Sequence, residues 1–472
     1  MSQVTRHTSP LNPFIFRAYD IRGIAIDETK EPDLTPESIK LIGKGVGTYF
    51  QKHEGKHLVV GRDNRITSPA LQKSFIEGLL ETGCNVTEVG NMTSPMIYWA
   101  TCAMAFDGGI NITASHNPKE YNGVKITAKN AHSICGEELQ KVLEIIQNEN
   151  FAEGNGKKDT RDIENDYIED ILKRATLYRR LKIVIDAGNG VTGFFAQKIF
   201  EKFGCEVIPL YCEPDGNFPN HEANPEVEEN LRELARVVVE EKADIGIGFD
   251  GDGDRVGIID EKGRHHSADY VLLILAQDLL KRIPNSQIIF DAKVSQSLIN
   301  GIRKAGGIPV MSKTGHSFIE AKMHELQAPL AGEISGHFFF AENYYGFDDA
   351  FLAALRILEI LSRSEKTMSQ LLDEIPKMII TPEYKVPCPD DKKFEIMKKV
   401  TEAFEKKFPC ITIDGVRVNY DTTTWGAGRC SNTSPNLTLR FEAPTQEKLD
   451  QVKKLFADEL AKYPEVDCGW YK

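Results

Sequence analysis

The stretch "KIVIDAGNG" at residues 182–190, with "FFAQKIFEKFGCEVIPLY" following at 194–211, decides the fold class. An apolar run ends at Asp186 in a glycine turn, an amphipathic helical stretch stops at Gly204, and a second apolar run follows. Parallel strands need a crossover of about a dozen residues, usually a helix, so this order is the signature of a βαβ unit. The plan recurs twice. "HLVVGRDNR" (57–65) leads through Leu71, Phe75, Ile76 and Leu79 into "TGCNVTEVG" (82–90), and "SQIIFDAKV" (286–294) leads into "SLINGIRKAGGIPVMSKT" (297–314). The copies are spaced too unevenly for a solenoid, so they read as three homologous α/β domains with mixed sheets. The C-terminal part differs. "ITIDGVRVNY" (411–420) and "NLTLRFEAP" (436–444) read as strands, and Leu449, Val452, Leu455, Phe456 and Leu460 fall at helical spacing, which gives an α+β domain. Breaks at "NGKKDTRD", "DEKGR" and "EIPKMIITPEY" divide the chain into 1–158, 159–262, 263–376 and 377–472.

The 472 residues are 41% hydrophobic and 27% charged, the composition of a globular protein. A net charge of −13 and a pI near 5.5 argue against general binding to nucleic acid or an anionic membrane. An anionic substrate therefore needs a locally basic site. The opening "MSQVTRHTSPLNPFIF" has no apolar signal core, and no run approaches the ~20 residues of a membrane span, so a cytoplasmic protein is expected. The nine cysteines are scattered with no C-x-x-C pair, which points to free thiols rather than zinc or a disulfide framework. Five N-x-S/T sequons, without a secretory signal, read as chance matches.

Two stretches carry chemistry. "ITASHNP" (112–118) places Ser115 and His116 behind a β-branched run, and these residues alone fit a polar turn as well as a nucleophile. "ADIGIGFDGDGDRVGIID" (243–260) sets Asp250, Asp252 and Asp254 between glycines. Three carboxylates so close repel one another unless a cation neutralises them, and all-oxygen ligands suit Mg²⁺ or Ca²⁺. An EF-hand template is half matched, but its sixth position is Arg255 and strands flank the loop. Arg255 suits a phosphate held beside the metal. His265 and His266 read as surface residues, and Phe338 to Phe340 as core strand.

"FRAYDIRG", "TASHNP", "YNGVKI", "FDGDGDR", "KTGHSFI", "GEISGHFFF" and "RCSNTSPNLTLRFE" occur in this order across nearly the whole chain. Together they resemble the α-D-phosphohexomutases, most closely the bacterial phosphomannomutase/phosphoglucomutase branch. The resemblance implies four domains around a central cleft and a phosphoryl group carried on Ser115. Transfer of that group to a hexose monophosphate gives a 1,6-bisphosphate, which returns its other phosphate to the serine. It implies Mg²⁺ on Ser115, Asp250, Asp252 and Asp254, with glucose 1,6-bisphosphate as activator. Lys125 and Arg255 would neutralise charge and His116 would orient the phosphate. Arg22, Lys125, His316 and His337 are candidates for proton transfer. Glu333 and Ser335 would hold sugar hydroxyls, Arg429, Ser431, Asn432 and Thr433 the distal phosphate, and Tyr19 and Lys293 line the cleft. The expected partners are small hexose phosphates, with a monomer favoured over an oligomer. Phosphoglucosamine mutase is the rival within the class, and a metal-dependent sugar phosphatase using the same serine is the rival outside it.

Overall fold

The computed structural model describes residues 11–431 and 435–471. The first α/β domain runs β1 (Ile21–Ile24), α1 (Pro36–Lys52), β2 (His57–Arg62), α2 (Ser68–Glu81), β3 (Asn85–Asn91), α3 (Ser94–Ala103), β4 (Gly108–Ile112), β5 (Tyr121–Ala128), α4 (Gly136–Gln147) and β6 (Lys158–Thr160). Its sheet has the order β1-β5-β4-β2-β3-β6. β2 lies parallel to β3 and β4, whereas β5 is antiparallel to both β4 and β1. Leu58, Val59 and Val60 of β2 are all buried, the continuous apolar run that a strand covered on both faces requires. α1 starts at a reciprocal capping box between Thr35 and Ser38.

The second domain continues with α5 (Glu164–Leu172), β7 (Lys182–Asp186), α6 (Ala196–Phe203), β8 (Glu206–Leu210), α7 (Arg232–Glu240), β9 (Ile245–Phe249), β10 (Val256–Asp260) and β11 (His265–His266). The order is β11-β10-β9-β7-β8, with β7 parallel to β8 and β9. β9 and β10 form an antiparallel pair that closes with Phe249 opposite Val256, so residues 250–255 are the turn of a hairpin. His266 sits at the edge of this sheet with its Nε2 2.8 Å from Asp260, and no described histidine pair forms a metal cluster.

The third repeat comprises α8 (Ala268–Arg282), β12 (Gln287–Asp291), α9 (Gln296–Lys304), β13 (Ile308–Ser312), α10 (His316–Leu326) and β14 (Leu330–Gly332), with β12 parallel to both other strands. β15 (Phe338–Phe340) and α11 (Ala350–Arg363) follow, then α12 (Met368–Asp373). The last part holds β16 (Ile379–Ile380), β17 (Tyr384–Pro387), α13 (Asp390–Glu405), β18 (Cys410–Ile411), β19 (Val416–Asn419), β20 (Trp425–Cys430), β21 (Asn436–Ala443) and α14 (Gln446–Leu460). Its sheet is antiparallel in the order β16-β21-β20-β19-β18, and β17 also pairs with β21. The described cysteines are free thiols. No helix among the described residues is long and apolar enough to cross a membrane.

The chain packs as two compact units, residues 1–267 with 335–368, and residues 268–334 with 369–472. In the first unit, the segment 335–368 is joined to the second domain by ring contacts Phe200–Phe351 and Phe249–Phe351 at 6.4 and 5.2 Å. It is also joined by the hydrogen bond from Val256 N to Gly336 O at 3.1 Å. Asp349 starts α11 there. Its Oδ1 accepts Leu352 N at 3.0 Å, and its Oδ2 accepts the hydroxyls of Tyr167 and Tyr344 at 2.8 and 2.7 Å. Asp349→Ala strands two buried phenols and an uncapped helix, a loss of about 2–4 kcal/mol. The expected result is a thermal midpoint lowered by about 4 °C or more. An unchanged midpoint refutes this account of how the segment is anchored.

Candidate active site

Ser115 has a backbone φ of +50°, in the left-handed region that a non-glycine residue occupies at a cost of roughly 1–3 kcal/mol. The compensation is visible around it. Ser115 N donates to Thr113 Oγ1 at 2.9 Å. Arg65 is almost fully buried and donates to four carbonyls of the following turn: Ser115 at 2.8 Å, Asn117 at 2.6 Å, Pro118 at 2.7 Å and Tyr121 at 3.2 Å. Hydrogen bonds from a charged group stabilise by about 1.5–3 kcal/mol each, so any two of these outweigh the strain. Asp63 orients the guanidinium in turn, accepting Arg65 Nε at 3.1 Å. From the other side, a Cβ on Gly251 would lie 2.4 Å from the Ser115 carbonyl oxygen. Only glycine allows the acidic hairpin to come so near.

The Ser115 hydroxyl donates to Asp250 Oδ2 at 2.8 Å, and its oxygen lies 3.2 Å from His116 Nδ1. The hairpin is held open by Asp250 Oδ1, which accepts the amides of Gly253, Asp254 and Arg255 at 2.9, 3.1 and 3.2 Å. Asp250, Asp252 and Asp254 are fully buried, with one oxygen from each within 4.8 Å of the others. Burial and the two neighbouring carboxylates push the Asp250 carboxyl well above its ordinary range. Lys125, on β5, places its ammonium 2.8 Å from Asp252 Oδ2 and pairs also with Asp254 Oδ2. Burial opposes that ammonium, but Asp252 and Asp254 hold its pKa well above normal. Asp252 Oδ1 and Asp254 Oδ1 have no hydrogen-bond partner in this buried setting. Two bare carboxylate oxygens beside a third carboxylate fit a hard divalent cation such as Mg²⁺.

A second layer surrounds this core. Arg255 Nε donates to His337 Nε2 at 2.9 Å, and His337 Nδ1 faces Asp348 Oδ2 at 2.7 Å. Both ring nitrogens of His337 are therefore engaged, and its proton belongs on Nδ1. The Arg255 charge, with burial and Arg22, pushes His116 down to about 2. These surroundings favour the neutral imidazole at His116. Arg22 pairs with Asp20 at 2.8 Å and donates to the Thr113 carbonyl just ahead of Ser115.

Matches to known proteins run along nearly the whole chain. The four parts described as phosphoglucomutase/phosphomannomutase, namely α/β/α domains I, II and III and the C-terminal domain, match residues 13–153, 165–263, 267–379 and 383–459. The chain belongs to the phosphoglucomutase/phosphomannomutase family. A Pseudomonas aeruginosa phosphomannomutase/phosphoglucomutase is 42% identical, covering 98% of each chain. A Neisseria gonorrhoeae phosphoglucomutase is 39% identical over 96% of this chain and 98% of its own. The crystal structure of a Burkholderia thailandensis phosphoglucomutase/phosphomannomutase family protein superposes with a TM-score of 0.90 at 37% identity, covering 97% of this chain and 99% of that one.

The first unit of this mutase brings together Ser115, His116, Lys125, Arg22, Arg255, His337 and the three aspartates. Tyr19, exposed, and Ser335, half-buried, lie in the same unit. In the second unit, Asp291 at the end of β12 gathers three loops. Its carboxylate accepts Ile334 N at 3.1 Å, and Lys293 N and Thr314 Oγ1 each at 3.4 Å. Glu333 Oε1 accepts Gly315 N at 2.6 Å beside His316, whose Nε2 is 3.2 Å from Ser317 Oγ. Lys293, His316 and Glu333 thereby collect at the carboxyl ends of parallel strands, where open α/β sheets bind ligands. Arg429 lies 3.6 Å from Asp414, and the Ser431 carbonyl accepts Lys393 Nζ at 2.6 Å. Asn432 and Thr433 lie outside the described residues.

Sequence reading passed over Arg65, Ser94 and Asp348. Ser94 Oγ donates to Asp252 Oδ2 at 2.6 Å and itself accepts Asn111 Nδ2 at 3.0 Å, which orients one carboxylate of the cation site. The one available signal was the Asp63/Arg65 pair in a turn directly behind a buried strand. Gly251→Ala forces Ser115 away from the hairpin, and a displacement near 1 Å costs about a hundredfold in rate. The expected kcat is lower by at least about that factor with the circular dichroism spectrum intact. Wild-type kcat in this variant refutes the close approach.

Proposed function

We propose that this chain is a phosphohexomutase that interconverts hexose 6-phosphates and hexose 1-phosphates of mannose and glucose through phosphorylated Ser115 and a 1,6-bisphosphate intermediate. The observation that carries the reading is the Ser115 hydroxyl, on a left-handed backbone, 2.8 Å from the first of three buried aspartates. Phosphoryl transfer asks a protein mainly for in-line positioning and charge neutralisation, and the site is built for both. In the first half-reaction the bond between phosphorus and Ser115 Oγ breaks as one forms to a sugar hydroxyl, whose proton is given up as the serine oxygen regains one. In the second half the other phosphate of the bisphosphate returns to Ser115. Asp250, Asp252 and Asp254 would hold Mg²⁺, which supplies charge neutralisation to a phosphoryl group when bound. Lys125 spreads positive charge over the same aspartates. Arg255, fixed by His337 and Asp348, presents its guanidinium to the phosphoryl oxygens. His116, a weakened base beside Arg255, orients the phosphate by hydrogen bonding. Glu333 and Ser335 are assigned the sugar 3- and 4-hydroxyls, a grip that leaves C2 unread and admits both glucose and mannose. Arg429 and Ser431, with Asn432 and Thr433, are assigned the distal phosphate, and glucose 1,6-bisphosphate is the activator that loads the serine.

Ser115→Ala should lower turnover of glucose 1-phosphate and mannose 1-phosphate by at least about a thousandfold. Wild-type protein treated with glucose 1,6-bisphosphate should carry one phosphate on Ser115 by mass spectrometry. Release of inorganic phosphate as the main product, or a large preference for glucosamine 1-phosphate, overturns the assignment. Stripping divalent metal with a chelator should abolish turnover and Mg²⁺ restore it. Asp252→Asn should raise the Mg²⁺ concentration for half-maximal activity by about tenfold or more. Full activity after stripping contradicts the cation site.

A further inference from the structure

Asp186 ends β7 with its side chain buried, and His221 stands over it. The His221 Nε2 lies 3.2 and 3.1 Å from the two Asp186 carboxylate oxygens, and its Nδ1 lies 2.8 Å from the Glu222 carbonyl oxygen. An ionised carboxylate and a carbonyl can only accept hydrogen bonds. A neutral imidazole has one N–H and would press a lone pair on one of these acceptors, whereas an imidazolium satisfies both. Among the described residues His221 is also the ion-pair partner of Asp186, and a buried carboxylate left uncompensated is costly. Hydrogen bonding and charge both require the cationic ring.

This bridge pins the returning end of a loop, residues 211–223, to the end of β7, and the loop reaches the serine turn by two routes. On the first, Phe218, at a left-handed φ of +50°, lays its ring 5.1 Å from the Arg65 guanidinium carbon. Arg65 is the residue that grips the Ser115 carbonyl. Asn64, beside it, donates from Nδ2 to the Asn189 carbonyl at 2.8 Å. Asn189 Nδ2 donates to Glu213 O at 2.9 Å, and its Oδ1 accepts Asn220 Nδ2 at 2.8 Å, which ties the same loop together. On the second route, Asp186 Oδ1 accepts Gly188 N at 2.8 Å, and a Cβ on Gly188 would lie 2.9 Å from Ala223. The turn continues to Val191, whose N donates to Gly251 O at 3.3 Å. The loop and the serine turn face one another across a cavity of about 250 Å³, with Arg65, Ser115, Asn117, Phe218, Glu222 and Ala223 in its lining.

We propose that His221, as an imidazolium bridging Asp186 and the Glu222 carbonyl, is a positioning residue for phosphoryl transfer at Ser115. It acts through Arg65 and Gly251, the two supports of the serine carbonyl, by setting the loop against the first and the turn 187–191 against the second. The inference rests on the assignment of phosphoryl transfer to Ser115. Burial opposes the charge on His221, but Asp186 and the Glu222 carbonyl hold its pKa above the ordinary value. The bridge is therefore complete below about pH 6.5 and is lost as the pH rises through the raised value. The other titratable groups packed on the pair stay neutral through that range. Burial and Glu233 raise the Tyr211 phenol, whose ring lies 5.4 Å from the imidazole, and burial with Asp186 pushes the Cys212 thiol up to about 12.

The test measures kcat and KM for glucose 1-phosphate, and the thermal midpoint, between about pH 6 and about pH 9. The full-length proteins compared are wild type, His221→Gln, Asp186→Asn, the double variant and Ser115→Ala. His221→Gln should lose about tenfold or more in kcat near pH 6, with KM within about twofold of wild type. The ratio of wild-type to variant kcat and the difference in midpoint should both shrink as the pH rises, and the double variant should be no slower than the slower single one. Unchanged kcat in both single variants overturns the proposal, and a loss that stays constant across the pH range overturns the charged bridge. A raised KM at wild-type kcat overturns the positioning role, and losses that multiply in the double variant overturn the pair as one device. If His221→Gln does not fold, Asp186→Asn, which keeps the shape of the carboxylate, carries the same outcomes. Wild-type turnover in Ser115→Ala overturns the serine assignment and this inference with it. A loss of about a thousandfold there, beside wild-type kinetics in His221→Gln and Asp186→Asn, overturns this inference alone.

Discussion

The carbonyl of Ser115 is the point on which the site depends. It is gripped by the buried Arg65 guanidinium from one sheet and approached by Gly251 of a hairpin on the next. A serine in a left-handed conformation is unfavourable in isolation, and a hairpin with three aspartates is unfavourable without cations. Each is tolerable because the other is present. The serine hydroxyl ends at Asp250, the Asp250 carboxylate organises the hairpin amides, and Lys125 enters from the strand after the serine loop to meet Asp252 and Asp254. The contacts of Ser115 with Asp250 and of Lys125 with Asp252 and Asp254 join residues more than a hundred positions apart, yet all fall inside one compact unit.

Much of this was legible in the sequence, for physical reasons that differ from place to place. The repeated strand, helix and glycine order fixes parallel βαβ units because no other arrangement satisfies both periodicities. The three aspartates announced a cation site through charge density alone. Ser115 could not be told from a turn residue by its neighbours, and it is in a turn; what sets it apart is the hairpin some 135 residues downstream. Arg65 was invisible for a related reason. An arginine at the end of a polar turn reads as solvated, and only the tertiary structure shows that its donors are spent on carbonyls. His116 and His337 look alike as lone histidines. Position separates them: His116 lies under the field of Arg255, and His337 accepts a hydrogen bond from that same arginine while facing Asp348.

The second unit follows a different logic. Its parallel strands end in loops tied together by the single carboxylate of Asp291, which holds the segments carrying Lys293, His316 and Glu333 together. The C-terminal sheet is bound to these segments through Arg417, which donates to the carbonyls of Ala292 and Val294, and through Glu442, which accepts Gln296 N at 2.8 Å and Trp425 Nε1 at 3.0 Å. Burial pushes the Glu442 carboxyl up to about 7. A carboxylate from one domain thus caps the first turn of a helix in another, which makes the third repeat and the C-terminal domain one mechanical piece.

The Gly251 contact has a consequence for how the protein comes to exist. During synthesis the first α/β domain is complete long before the hairpin leaves the ribosome, so for that interval Ser115 has neither Asp250 nor the backbone that presses its carbonyl into place. The serine's surroundings are thus completed by a later part of the chain and not by its own local fold. A truncated chain ending before residue 250 contains the serine and its motif but neither Gly251 nor any of the three aspartates.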